Sequence, residues 1–550
     1  MAWHIFKKDL RLLGPWAALC AIVQIGLDAM MYLADQSPEA KYLLLAARLF
    51  VIVAFLVIAF TVAMAVHQDA IPGTRQDWLT RPIRRRDLLL AKMLFVLAAV
   101  HLPMFVADLI EAVAHGFSWG QAAGAAGARN LLVLVSISLP VFGFAALTRT
   151  MAQFVGAGVL YFLGSIAASF ALSSAAQVSG QEQATNPLAW TGVVWIPHVA
   201  ANLALAAGVV IALGLLYFRR KVVLARILLP VFVVLSIATT LVPWGWVFAI
   251  QAKASADPAS GRLIALAYDP TAARYRPVRG QNLDEYSAGA AQVQLRGRSA
   301  GDITEENRAR RTQGDVTVFV PLRASALPPG ALLWADRAEV TVSGADGKAL
   351  FNARGADLQI QPTPAGGGQV TAYQAIRLPA LLFERIRNQP VSLRVDYFLT
   401  LMRPRAPVAI AALDAEADMP GVGRCSSGRD SDGDDIALRC LQAGRAPSCV
   451  SATLLDVLTG RRNPDTLICA PDYSPFKGAP FPDAISRFEV EAPFRDRFGL
   501  AAYPVGSAQL ATARMVVTAF EPKAHFTRNL SAPQLRLGDW TPAAAGAGRG

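Results

Sequence analysis

Every long apolar run in this 550-residue chain lies before Gln251, and each is about the length a helix needs to cross a bilayer. The runs fall at about Leu12–Leu33, Tyr42–Val66, Leu88–Val113, Leu131–Leu147, Phe154–Leu172, Val199–Phe218 and Ile227–Ile250. From Gln251 onward Pro, Gly, Arg and Asp are spread throughout. Hydrophobic residues make up 54% of the chain and charged residues only 17%, which is too apolar for an ordinary soluble protein. The expected architecture is an α-helical polytopic membrane domain of about seven helices at 12–250. A mainly β, sandwich-like domain follows at 251–540, with a disordered tail at 541–550.

The net charge is +12, with 17 Lys and Arg against 10 Asp and Glu before residue 251. Cytoplasmic loops of membrane proteins are enriched in Lys and Arg, so the placement of these residues sets orientation. With the N-terminus inside, the inner segments carry Lys7, Lys8, Arg11, Arg75, Arg81, Arg84, Arg85, Arg86, Arg149, Arg219, Arg220, Lys221 and Arg226. The opposite loops hold only Lys41 and Arg129, and none between Ser173 and His198. An odd number of spans then exports the C-terminal region, the expectation for an inner-membrane protein with a periplasmic domain. Nothing in this distribution points to nucleic acid.

At the N-terminus, Trp3, Phe6, Leu10 and Leu13 fall on one helical face, opposite His4, Lys7, Lys8 and Arg11. This pattern predicts an amphipathic interfacial helix over residues 1–11. A signal peptide competes, since basic residues precede an apolar run ending near Cys20. Leu19 argues against lipoprotein processing, and six further spans would hold the product in the membrane.

The segment His67–Lys92 is short and punctuated. Ile71-Pro72-Gly73 reads as a turn, Gln76–Leu79 as one helical turn, and Arg81-Pro82 as its stop. Asp87 is the expected N-cap of the next helix. Such a rigid charged knuckle suits docking of a soluble partner, though a plain topology-setting loop would carry the same arginines.

Four of the five cysteines, Cys425, Cys440, Cys449 and Cys469, cluster in the polar region, while Cys20 lies in the first span. An even set on the exported side reads as two disulfides with three possible connectivities. Zinc is disfavoured, because no Cys-x-x-Cys spacing or nearby histidine accompanies them.

Within the membrane, His101, Asp108 and Glu111 invite attention, because intramembrane carboxylates are costly and often functional. A proton or cation site is one reading. The other is a pair of interfacial carboxylates at the outer end of the third span, with Asp28 likewise near the end of the first.

In the polar region Asp315–Leu322, Ala338–Ser343, Val391–Leu401, Phe488–Ala492 and Ala511–Phe520 alternate or are β-branched, as strands do. Asp430–Asp435 has carboxylates spaced like a calcium loop. It lacks the glycine and the closing glutamate, so it reads as a solvated acidic turn. No nucleophile elbow, zinc-protease motif or other catalytic constellation is evident.

The N-terminal FKKDLRLL and the stretch LTRPIRRRDLLLAK ending at Lys92 resemble ABC transporter permeases of the ABC-2 type. The resemblance covers roughly residues 1–220. It implies a six-span half-exporter whose segment 67–87 is the coupling element for a separate ATPase subunit. Asp69, Arg75, Asp77, Trp78, Arg81, Pro82, Arg84, Arg85 and Arg86 would carry that contact. It also implies a homodimer or a second permease, and no cofactor in this chain, with ATP and Mg bound by the ATPase partner. Consistently, no phosphate-binding loop is present, since Gly347-Lys348 lacks the flanking glycine and hydroxyl. The seventh span and the exported domain depart from the family pattern. A membrane-anchored sensor or assembly factor with a ligand- or partner-binding β-domain is the alternative. An integral membrane enzyme using His101, Asp108 or Glu111 is a third possibility.

Overall fold

A computed structural model describes residues 1–36, 41–69, 84–160, 163, 164, 167, 192, 193, 195–239, 242–275, 315–355, 359, 360, 368–430, 433–444, 446–469, 484–495 and 503–541. The first half is helical: α1 (Ala2–Leu12), α2 (Gly14–Gln36), α3 (Lys41–His67), α4 (Arg85–Ala114), α5 (Trp119–Leu147), α6 (Met151–Leu160), α7 (Trp195–Tyr217), α8 (Val222–Ala238) and α9 (Trp244–Lys253). Five of them, α2, α3, α4, α5 and α7, contain stretches long and apolar enough to cross a membrane.

Two expected spans are corrected. The fourth begins at Trp119, not Leu131, because Ser118 and Gln121 form a reciprocal capping box that starts a helix in the Ala- and Gly-rich stretch. Arg129 therefore lies inside a helix and not in a loop. The expected seventh span is divided into α8 and α9, and Pro243 caps the second piece. Most of the expected fifth span lies outside the described residues. The third helix also starts earlier than expected. Arg84 is its N-cap, and Asp87 sits in its first turn, where a carboxylate favours the helix dipole.

Helices α4 and α5 each contain one wide π turn, at Leu97–His101 and at Leu134–Ser138. Close helix contacts rest on two glycines. A Cβ at Gly143 would lie 2.7 Å from a Val209 methyl, and one at Gly208 would lie 2.4 Å from Phe232 Cβ, so α5, α7 and α8 pack with nearly bare backbones. On α1 the buried residues are Ile5, Phe6 and Asp9, with Leu13 buried just beyond it, while Trp3 and Leu10 are exposed. Asp9 turns inward to meet a lysine.

The second half is mostly β-sheet. Its axis is the 23-residue strand Ala513–Leu535, which pairs antiparallel with Cys449–Asp456, Val391–Pro404 and Val408–Ala411 in an eight-stranded sheet. A three-stranded sheet of Ala265–Tyr268, Asp315–Leu327 and Gly368–Pro379 shares a core with Leu333, Val395, Tyr397 and Leu399 of the large sheet. A four-stranded sheet, running Ile485–Pro493, Asp435–Ala443, Gly423–Arg429 and Ala415–Met419, shares another with Leu454, Met515 and Val517. All five segments read as strands from the sequence fall on strands. The strands on either side of the acidic segment pair antiparallel, with Gly433 N–H donating to Asp430 O and Asp430 N–H to Asp435 O.

Cys425 bonds Cys440, and Cys449 bonds Cys469, each pair directly opposed across two antiparallel strands. Structural disulfides form in oxidising compartments, so the pairs fit an extracytoplasmic β region. The loops closed span 15 and 20 residues. Loop-closure entropy then predicts that replacing either pair by serines costs about 3 kcal/mol, read as a lower denaturation midpoint of the β region.

Candidate functional site: two buried charge clusters on one helix

Helix α4 carries a charge cluster near each end. Near its start, the Lys92 ammonium is fully buried and donates to Asp9 Oδ2 at 2.8 Å and Asp69 Oδ2 at 2.6 Å. Lys8 donates to both Asp69 oxygens, at 2.9 and 3.0 Å. One ammonium therefore joins α1, the end of α3 and the start of α4. Burial pushes the Asp9 carboxyl above its ordinary range, and Lys92 offsets only part of that. Burial also opposes charge on Asp69, but Lys92 and Lys8 together outweigh it and hold that carboxyl below the usual range.

Around this clamp, cations meet the carbonyls at helix C-termini. Arg85 reaches Leu216 O at 3.5 Å and Arg226 reaches Leu147 O at 3.2 Å, as the helix dipole favours. His67 Nε2 lies 3.0 Å from both Ala145 O and Thr148 Oγ1, tying α3 to the end of α5. Of the nine coupling candidates, Asp69 is in the clamp, and Arg84, Arg85 and Arg86 open α4. Arg75, Asp77, Trp78, Arg81 and Pro82 lie outside the described residues.

Near the other end of α4, Arg129 of α5 pairs with Asp108 and with Asp28 of α2, the latter at 3.4 Å. The β region contributes Arg487, whose Nε donates to both Asp35 oxygens at 2.8 Å and whose Nη2 donates to Glu111 Oε1 at 2.5 Å. Arg424 donates to His115 O at 2.9 Å. Asp108 and Glu111 are buried, covered by two arginines and the β region at the end of α4. His101 is separate. Its ring nitrogens face Asn130 Oδ1 at 3.2 Å and Ser138 Oγ at 3.0 Å, between the two π turns.

A buried polar chain also joins the halves. Trp195 Nε1 donates to Gln251 Oε1 at 2.9 Å, and Gln251 Nε2 lies 3.1 Å from His525 Nε2. His525 Nδ1 lies 2.8 Å from Thr400 Oγ1, which donates to Asp336 Oδ2 at 2.5 Å. An Nδ1-protonated imidazole satisfies every group along that line. Trp244 stacks on Phe248 beside it, and Phe398 meets both rings edge-on.

Two sets of side chains bring metal-ligating atoms within 4.8 Å of one another in the membrane-facing junction: Asp35, Glu111 and His115, and Asp28, Asp108 and Glu111. Asp430, Glu489 and Glu491 form a third set on the β region.

No protein-family model and no curated protein matches this chain. Among solved structures, one described as "pT26-6p" aligns at 9% identity, over 38% of this chain and 61% of its own length, so this chain spans under two thirds of that structure. Its TM-score of 0.10 carries no argument about the fold.

Proposed function

We propose that the chain is the membrane-spanning permease subunit of an ATP-driven, ABC-2-like exporter, powered by a separate ATPase that docks on the segment 67–87. The observation that carries this reading is the arrangement along α4. The arginine-bearing segment and the disulfide-bonded β region meet opposite ends of one helix, about 28 Å apart for the 19 residues between Lys92 and Glu111. With α6 as the fifth crossing, α7 as the sixth and α8 as the seventh, the arginines are cytoplasmic and the β region is periplasmic. Asp69 in the docking segment and Lys92 just beyond it are held by one ion pair. A push on that segment is thereby delivered to α1, α3 and α4 as a unit. A homodimer or paired permease completes the pathway.

A membrane-anchored sensor is the second reading, supported by the seating of the β region on α2 and α4 through Arg487. Purification from native membranes in mild detergent separates the two. The permease reading expects a stoichiometric partner with a phosphate-binding loop and ATPase activity. That partner should be lost when Arg84, Arg85 and Arg86 are replaced by glutamate. A clean preparation without an ATPase, across several detergents, favours the sensor.

A further inference from the structure

We propose that Asp35, Glu111 and His115 form a binding site for a divalent transition metal of the zinc class, with the Arg487 guanidinium as its resident competitor. The inference does not depend on the transport reading. Glu111 and His115 are one helical turn apart at the end of α4, and Asp35 stands at the end of α2 beside them. Two carboxylates and an imidazole are the donor set of many zinc centres, with room left for a fourth ligand.

The geometry of the imidazole points to a metal. His115 is buried, and its Nε2 stands 3.3 Å from Asp35 Oδ2, outside hydrogen-bond geometry. Ligands at about 2.0–2.1 Å from a tetrahedral ion are about 3.3 Å apart, so this separation is an edge of that tetrahedron. Glu111 completes the face with its oxygen within 4.8 Å of the other two atoms. The Tyr32 ring lies 4.8 Å from the imidazole and fixes its plane.

The convergence of acidic side chains gives the second argument. Asp28, Asp35, Asp108 and Glu111 meet at a largely buried place, where they share the Arg129 and Arg487 guanidiniums and Asp35 also faces the His115 imidazole. Convergent carboxylate oxygens beside an imidazole are the ligands such a dication takes. Arg487 and the metal address the same two carboxylates, so occupancy by one excludes the other. Metal binding would therefore release the strand Ile485–Pro493 from the ends of α2 and α4.

The test is titration of the full-length chain in detergent with zinc alone by calorimetry, and with cobalt(II) by visible absorption. The wild type should bind one ion at this site. Arg487→Gln should bind it at least tenfold more tightly, and His115→Ala, in either background, should lose at least tenfold in affinity and the tetrahedral cobalt bands. The proposal is overturned if Arg487→Gln does not tighten binding, or if binding is absent throughout. Survival of the ion in His115→Ala also overturns it. Should Arg487→Gln fail to fold, the comparison of wild type with His115→Ala, which leaves the arginine in place, decides alone.

Discussion

Replacing Lys92 by methionine is expected to cost about 3–5 kcal/mol, because removing one partner of a buried ion pair strands the charge left behind. Here the stranded group is Asp9, which is fully buried and has Lys8 only at 3.7 Å, whereas the partly buried Asp69 keeps Lys8 on both of its oxygens. The readout is the thermal transition of the detergent-solubilised protein, with yield in the membrane fraction as a second measure. The two carboxylates should respond unequally to neutralisation. Asp9 has its carboxyl raised by burial, so its charged form is the less favoured one and Asp9→Asn should be mild. Asp69 has its carboxyl lowered, so it stabilises the fold above the ordinary carboxylate range. That contribution fades as the pH falls through its lowered value, and Asp69→Asn should remove it at neutral pH. Equal effects of the two asparagines, or an unchanged transition in Lys92→Met, would refute this account of the clamp.

Arg129→Met should be comparably damaging, again by about 3–5 kcal/mol, since Asp108 is wholly buried and Asp28 nearly so. The double substitution Arg129→Met with Asp108→Leu should recover much of the loss. Replacing a buried pair by apolar groups is often neutral, whereas leaving one charge alone is not. A double-substitution cycle on the melting transition measures the coupling directly. If the single substitution is tolerated, the pair is not what holds α5 against α2 and α4.

The sequence made the division into membrane and β halves legible, since apolar runs of spanning length and β-branched alternation are local signals. Val391–Leu401 alternates cleanly and is a buried strand. Gly423–Arg429 and Asp435–Ala443 are strands too, but Gly, Ser, Asp and Arg give them the composition of loops, and their pairing across Cys425 and Cys440 supplies the order. The start of α5 was hidden for a similar reason. Its Ala- and Gly-rich residues carry little hydropathy, and Arg129 in their midst reads as a loop charge until its buried partners are seen.

At the candidate site, Asp108 and Glu111 drew notice because a carboxylate inside an apolar run is rare. Their partners could not be read. Arg487 is 376 residues from Glu111 and 452 from Asp35, and no spacing rule connects residues that far apart. The Asp9–Lys92 pair gave no signal, because Asp9 sits among Lys7, Lys8 and Arg11, whose charges explain themselves as topology signals, and Lys92 stands only as the last residue of the LTRPIRRRDLLLAK stretch. The Gln251–His525–Thr400 chain is likewise a product of packing, joining positions 274 and 125 residues apart.

The wide turn at Leu97–His101 has a consequence for phase along α4. At 3.6 residues per turn, an unbroken helix would set Lys92 and Glu111 about 100° apart around the axis. The wide turn holds one residue more than an α turn, and that residue absorbs roughly the same angle. Both charged residues thereby look toward one flank, where α1 offers Asp9 and α2 offers Asp28 and Asp35. The surplus residue acts as a spacer in angle rather than in length, and it lets one helix serve two ionic sites in adjoining segments of chain.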